Sequence, residues 1–165
     1  MTISRSTNIL FALVATLSLT WLTGCDSSPD ANSPAAINLA KGKKFMEENA
    51  KKEGVITLDN GIQYKVLTDG SGKNPKLTDI VLVHSRGMHL DGSVFSDSYA
   101  DGKPEEVLVK FAIPGWKKTL PLMSVGSKWK LWLPPKMGFS NRGYENIIEP
   151  NETLVYELEV VEVKW

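Results

Sequence analysis

DIVLVHSRGM (residues 79–88) is a strongly apolar run, and LDGS (residues 90–93) follows it with an Asp-Gly pair. The apolar and β-branched residues of the run predict a β-strand. An Asp-Gly pair beside such a strand is the strongest short-range signal of a hairpin turn. The middle of the chain is therefore expected to form part of an antiparallel sheet.

Alternation of apolar and other residues predicts further strands on both sides of this hairpin. In the last strand, Leu154, Tyr156, Leu158 and Val160 fall on one face. Pro114 opens a short helix that runs to about Pro121, because proline suits a first helical turn. About five or six strands around one short helix predict an α+β domain with an antiparallel sheet. The predicted strands include Gly61–Leu67, Asp79–Met88, Val107–Phe111, Ser127–Leu133 and Thr153–Val163, and residues 136–151 form a long loop before the last one.

A short helix is predicted ahead of the sheet, over residues 35–52, with Gly54 at the position of a C-cap. Its apolar stripe is thin, so the helix is expected to pack against the domain. This divides the chain into an N-terminal helical segment, residues 35–54, and a β-rich domain, residues 55–165. The predicted stripe consists of Ile37, Ala40, Lys41, Lys44, Phe45 and Glu48.

The first 24 residues have the pattern of a secretory signal peptide, with Arg5 before an apolar run. That run, residues 9–22, has about 14 residues, fewer than the roughly 20 of a membrane-spanning helix. It ends in LTGC (residues 22–25), which resembles the lipobox of bacterial lipoproteins, and Cys25 is the only cysteine of the chain. We expect cleavage before Cys25 and lipidation of its thiol, with residues 25–34 as a flexible tether. A permanent membrane helix, or an ordinary signal peptide with a chance cysteine, is the alternative.

The predicted location is the cell envelope, with the folded domain facing the periplasm. Asp26 after the lipidated cysteine favours the inner membrane, by resemblance to the sorting of enteric lipoproteins, and the outer membrane is the alternative.

Composition excludes several classes of function. The chain has 19 basic and 19 acidic residues, and this balance argues against a nucleic-acid partner. A single cysteine allows no internal disulfide and no cysteine-based metal site. The two histidines, His84 and His89, lack the spacing of a helical metal pair and are expected to be ordinary surface or rim residues. The sequence predicts neither a metal nor a cofactor.

Four phrases stand in a fixed order along the chain: DGSVF (91–95), IPGW (113–116), MSVGS (123–127) and IIEPNETL (147–154). In this order and with these gaps they resemble the FKBP-type peptidyl-prolyl cis-trans isomerases. The upstream residues 42–66 are similar to the bacterial Mip-like branch, the macrophage infectivity potentiators. The resemblance implies a sheet half-wrapped around the Trp116 helix and a shallow apolar pocket for a proline ring.

The resemblance also assigns site residues. It gives catalytic roles to Phe95, Ser96, Ile113, Trp116 and Phe139, and substrate-binding roles to Ser85, Val107, Ala112, Tyr144, Ile148 and Tyr156. The alternative is that the aromatic residues simply form the core, above all Trp116 and Tyr156. Four positions differ from the family pattern, since Ser85, Val107 and Phe139 replace aromatic or hydroxyl-bearing residues and Ser96 replaces an aspartate.

The implied activity needs no nucleophile, because an apolar pocket favours the twisted amide over the planar one. The resemblance implies a prolyl isomerase that assists the folding of exported proteins, with reduced activity if the four departures matter. Its partners would be proline-containing unfolded or exported polypeptides. The alternative is a non-catalytic, membrane-anchored chaperone or peptide-binding module. About 17 helical residues before the domain offer too little apolar surface for an obligate interface, which predicts a monomer.

Overall fold

The computed structural model describes residues 30–164. The predicted signal peptide and Cys25 lie outside these residues. Within them are two α-helices, α1 (Pro34–Asn49) and α2 (Pro114–Thr119). None of the described helices is long and apolar enough to cross a membrane. The strands are β1 (Ile56–Thr57), β2 (Gln63–Thr68), β3 (Ile80–Met88), β4 (Val94–Asp97), β5 (Glu105–Leu108), β6 (Lys128–Leu133) and β7 (Leu154–Lys164).

The strands form one antiparallel sheet in the order β1-β2-β6-β7-β3-β4, with β5 also paired to β3. β3 is paired on one side with β7 along its whole length, and on the other side with β5 and then β4. The α+β fold predicted from the sequence is confirmed. The sheet has seven strands rather than five or six, because the two-residue β1 and the four-residue β4 join the five strands named from the sequence.

One face of the sheet forms the core, as strand alternation requires. On β7 the predicted face is buried: Leu154, Leu158 and Val160 are fully buried and Tyr156 is 5 % exposed. Val81 and Val83 of β3 are fully buried on the same face. α2 packs across this face and contributes Trp116 to the core. The sheet therefore presents a concave apolar surface with one short helix inside it.

Two predicted elements have different limits in the structure. The strand predicted over Val107–Phe111 lies over Glu105–Leu108 instead, and residues 109–111 form a 3₁₀ turn. The chain turns there because the Val109 N–H donates to the Asp79 carbonyl, which buries Val109 and leaves Phe111 79 % exposed. The central helix ends at Thr119, and residues 120–122 continue as a second 3₁₀ turn.

The N-terminal helix is present but its predicted apolar stripe is wrong. Ile37 is 53 % exposed, whereas Gly42 and Asn49 are the buried positions of α1. The helix is attached largely through polar groups: Asn49 Nδ2 donates to Gln63 Oε1 at 2.9 Å, and Gln63 Nε2 donates to the Met46 carbonyl at 2.8 Å. Because hydrogen bonds and a close backbone approach replace apolar packing, the hydrophobic pattern could not identify this face.

α1 also ends earlier than predicted, at Asn49 rather than at residue 52. Tight turns follow, in which the Lys52 N–H donates to the Asn49 carbonyl and the Val55 N–H donates to the Lys52 carbonyl. Gly54 is in the left-handed region, with φ +76°. It therefore serves the turn that leads into β1 rather than capping the helix directly.

Candidate functional site

The floor of a cavity in the concave face is Trp116, which is 7 % exposed. Pro114 occupies the first turn of α2, where its missing N–H costs nothing. Gly115 allows the helix to approach the sheet, because a Cβ there would lie 2.6 Å from Leu133 Cδ1 and 2.9 Å from the Met137 carbonyl oxygen. The IPGW phrase thus determines where α2 begins and how closely the Trp116 indole approaches the sheet.

Aromatic side chains build one wall in edge-to-face geometry. The Trp116 and Tyr156 ring centroids are 5.4 Å apart with the planes at 79°, and the Phe95 and Tyr156 centroids are 5.7 Å apart at 86°. Both arrangements are favourable for aromatic quadrupoles. Gly87 on β3 makes room for them, because a Cβ there would lie 2.5 Å from Phe95 Cζ and 3.0 Å from Tyr156 Cε1. His89 does not line the cavity, but its ring lies edge-on to Phe95, with the two ring centroids 5.1 Å apart.

The loop between β6 and β7 overhangs the cavity with Phe139 and Tyr144, whose ring centroids are 5.2 Å apart. Reciprocal backbone hydrogen bonds join Tyr144 and Ile148, at 2.8 and 3.0 Å. Gly143, just before this turn, has φ +64°, and a Cβ there would collide with the Ile148 carbonyl oxygen, so the position favours glycine. The overhang is therefore fixed by its own hydrogen bonds.

A polar corner lies where β3 meets β5. Ser85 Oγ donates to Glu105 Oε1 at 2.7 Å, and the Ser85 N–H donates to Ser98 Oγ at 2.8 Å. The Tyr156 hydroxyl is close to this corner: burial, and secondarily the negative charge of Glu105, raise the pKa of Tyr156. Tyr156 is therefore a neutral phenol across the physiological pH range.

Asp97 does not replace the carboxylate that is missing at Ser96. It faces away from the cavity, where its Oδ2 accepts a 2.8 Å hydrogen bond from Arg86. The Arg86 guanidinium lowers the pKa of the Asp97 carboxyl. Because adjacent residues of β4 point to opposite faces, Ser96 and Asp97 cannot exchange roles.

The structure brings every predicted site residue of the domain to this one cavity, which measures about 450 Å³. Three further lining residues were missed by the sequence reasoning: Glu105, Phe111 and Ile147. Phe111 and Ile147 adjoin predicted residues in the chain. Glu105 was missed because the strand was expected to begin at Val107. In the structure β5 begins at Glu105, and residues two apart on a strand lie on the same face, so Glu105 joins Val107 in the cavity.

A half-wrapped sheet with an aromatic cavity over a short helix defines an FKBP-like domain. The family model for FKBP-type peptidyl-prolyl cis-trans isomerase matches residues 71–161, more than half of the chain. The model for the domain amino-terminal to FKBP-type peptidyl-prolyl isomerase matches residues 27–66. The chain belongs to the FKBP-type peptidyl-prolyl cis-trans isomerase family.

Individual relatives agree with this assignment. The FKBP-type 22 kDa peptidyl-prolyl cis-trans isomerase of Escherichia coli is 47 % identical over 75 % of this chain and 60 % of its own length. Outer membrane protein MIP of Legionella longbeachae is 37 % identical over 83 % of this chain and 59 % of its own. The crystal structure of FkpA from Escherichia coli superposes with a TM-score of 0.76 at 40 % identity, covering 79 % of this chain and 61 % of that one. The chain thus spans about 60 % of the length of these relatives.

Proposed function

We propose that this chain is a peptidyl-prolyl cis-trans isomerase that acts on proline-containing segments of unfolded or exported polypeptides. The observation that carries the proposal is the convergence of Phe95, Ile113, Trp116 and Tyr156 on one apolar cavity of a size suited to a proline and its neighbours. The family and its isomerase relatives support the same activity.

The barrier to rotation about an Xaa-Pro bond is the loss of amide resonance, roughly 18–20 kcal/mol. A twisted amide has lost much of its dipole. Moving it from water into an apolar environment therefore costs less free energy than moving the planar amide, and the barrier to rotation falls. The aromatic walls provide such an environment, and Phe139 and Tyr144 cover part of it from the loop between β6 and β7. In this mechanism the side chains bind and orient the proline, and no proton or electron pair moves to the protein.

Phe139 and Ser96 motivate the alternative of a binding module with little turnover, since neither supplies the polar group usual at its position. The test is a pair of assays on the same preparation: isomerisation of a proline tetrapeptide and suppression of citrate synthase aggregation. Turnover above the uncatalysed rate supports the enzyme. Suppression of aggregation without turnover would replace it with the binding module.

Lipidation of Cys25 and residence in the cell envelope form the second part of the proposal. Its support is the LTGC pattern that ends the apolar run, together with the relative from Legionella longbeachae, which is named an outer membrane protein. Mass spectrometry of the mature N-terminus is the test. An N-terminal Cys25 with acyl chains is expected, and an unmodified N-terminus would contradict the proposal.

A further inference from the structure

Among residues 30–164, Glu105 is the only residue lining the cavity that has an acidic or basic side chain of the Asp, Glu, Lys or Arg type. Its position follows from the register of β5, where Val83 pairs with Glu105 and Val81 pairs with Val107. Glu105 and Val107 therefore share the cavity face, whereas Glu106 points the other way and its carboxylate forms a 2.9 Å ion pair with Lys164. A site whose other lining residues are uncharged thus contains one acidic group.

The carboxylate is oriented but lacks a cationic partner. Ser85, which is 2 % exposed, donates to Oε1 at 2.7 Å and is itself held by Ser98. Within residues 30–164, no basic side chain lies within 4.0 Å of Glu105, although Asp97, Glu106, Glu152 and Glu157 each have such a partner. Serine fixes one oxygen of Glu105 and leaves the other for a group that enters the cavity.

The charge acts inside the site. It contributes to the raised pKa of Tyr156, whose ring packs directly against Trp116. Glu105 is exposed, so water screens part of its field, and the apolar side chains beside it keep the field stronger than in open water. A cation brought next to the aromatic floor would therefore interact with Glu105.

We propose that Glu105 makes this cavity selective for prolyl segments that carry lysine or arginine immediately before or after the proline. The inference rests on the proposed isomerase function. An extended chain advances about 3.3 Å per residue, so both neighbours of the proline lie near the mouth of the cavity, where a long side chain can bend back toward the exposed Glu105. Lysine and arginine have long aliphatic stems that can cover apolar surface while the charged end finds a partner. The half-exposed rim residues Tyr144 and Ile147 offer surface of this kind.

The test compares isomerisation of peptides that differ only at the neighbour of proline: lysine, its neutral analogue norleucine, and glutamate. Two series are measured, with the variable residue before and after the proline. For the unaltered chain, kcat/KM for the lysine peptide should exceed that for norleucine about two- to fivefold in at least one series, the range of a partly exposed ion pair. The preference should shrink when ionic strength rises from 0.05 to 0.5 M, by screening.

Glu105→Gln keeps the acceptor for Ser85 and removes the charge, so the lysine-to-norleucine ratio should fall to about one. Glu105→Lys should reverse the preference in favour of the glutamate peptide. Glu106→Gln is the matched control, one residue away on the opposite face, and should keep the original ratio.

A lysine-to-norleucine ratio near one for the unaltered chain in both series would overturn the inference. A lysine preference that persists in Glu105→Gln would overturn it as well. Activity on norleucine peptides separates this outcome from failure of the proposed function. If these peptides are turned over without charge preference, only the selectivity is wrong, whereas no turnover of any peptide would refute the isomerase itself.

Discussion

Gly87 gives the sharpest test of how the cavity wall is built. A Cβ at this position would lie 2.5 Å from Phe95 Cζ, where ordinary contacts begin at 3.4 Å. In Gly87→Ala the phenyl ring must therefore move by about 1 Å, and such overpacking costs about 1–3 kcal/mol of unfolding free energy. A 1 Å displacement of a positioning group can cost about 100-fold in rate, so we expect kcat/KM on a prolyl peptide to fall about 10- to 100-fold.

The matched control is Gly42→Ala, on α1 and outside the cavity. Its Cβ would collide with the Thr153 side chain, so this variant is also overpacked, although alanine regains about 1 kcal/mol of helix propensity. Urea unfolding gives the stability of both variants, and peptide isomerisation is then measured where both are fully folded. Full activity in Gly87→Ala, or an equal loss of activity in Gly42→Ala at the same folded fraction, would contradict this role of Gly87 in positioning Phe95.

Two further substitutions and one truncation test other parts of the molecule. Phe139→Tyr adds a hydroxyl to the overhanging loop. One net hydrogen bond from this hydroxyl to the substrate should raise kcat/KM about two- to tenfold in a peptide assay. An unchanged rate would mean that the loop does not contact the rotating amide. Asn49→Ala leaves Gln63 Oε1 without its donor. It should lower the free energy of unfolding by about 1–3 kcal/mol, measured in urea, with no loss of activity in the folded protein. An unchanged free energy of unfolding would show that water replaces the amide. Light scattering of the chain without residues 1–25 should give a monomer at micromolar concentration, and a dimer mass would show that α1 provides more interface than its exposed residues suggest.

Most of the cavity could be predicted from the sequence because its residues lie in short phrases with fixed local geometry. In IPGW, the proline sets the helix start and the glycine sets its depth, so the place of Trp116 follows once the phrase is identified. Strand alternation likewise places Tyr156 on the same face as Leu154 and Leu158. These features depend on neighbours in the chain.

The features that the sequence did not predict depend on partners far away in the chain. The docking face of α1 is determined by Gln63 and Thr153, and nothing in the helix itself indicates that Asn49 rather than Ile37 is buried. The role of Glu105 depends on the register between β5 and β3, which is fixed by pairing across about 20 residues. Because the predicted start of β5 was two residues too late, Glu105 was not identified as a cavity residue.

The departures from the family pattern are not spread evenly around the cavity. The floor and one wall, formed by Trp116 on α2 and Tyr156 on β7, keep the residues that the family resemblance predicts. Three of the four departures, Ser85, Ser96 and Val107, lie on β3, β4 and β5, the strands that carry or flank Glu105. Stabilising a twisted amide requires an apolar floor at the proline ring, whereas recognising the neighbouring residue requires chemistry beside it. If the proposed isomerase function holds, the two tasks fall on different elements, so substitutions in the polar corner would change which segments bind while Trp116 and Tyr156 keep the apolar floor.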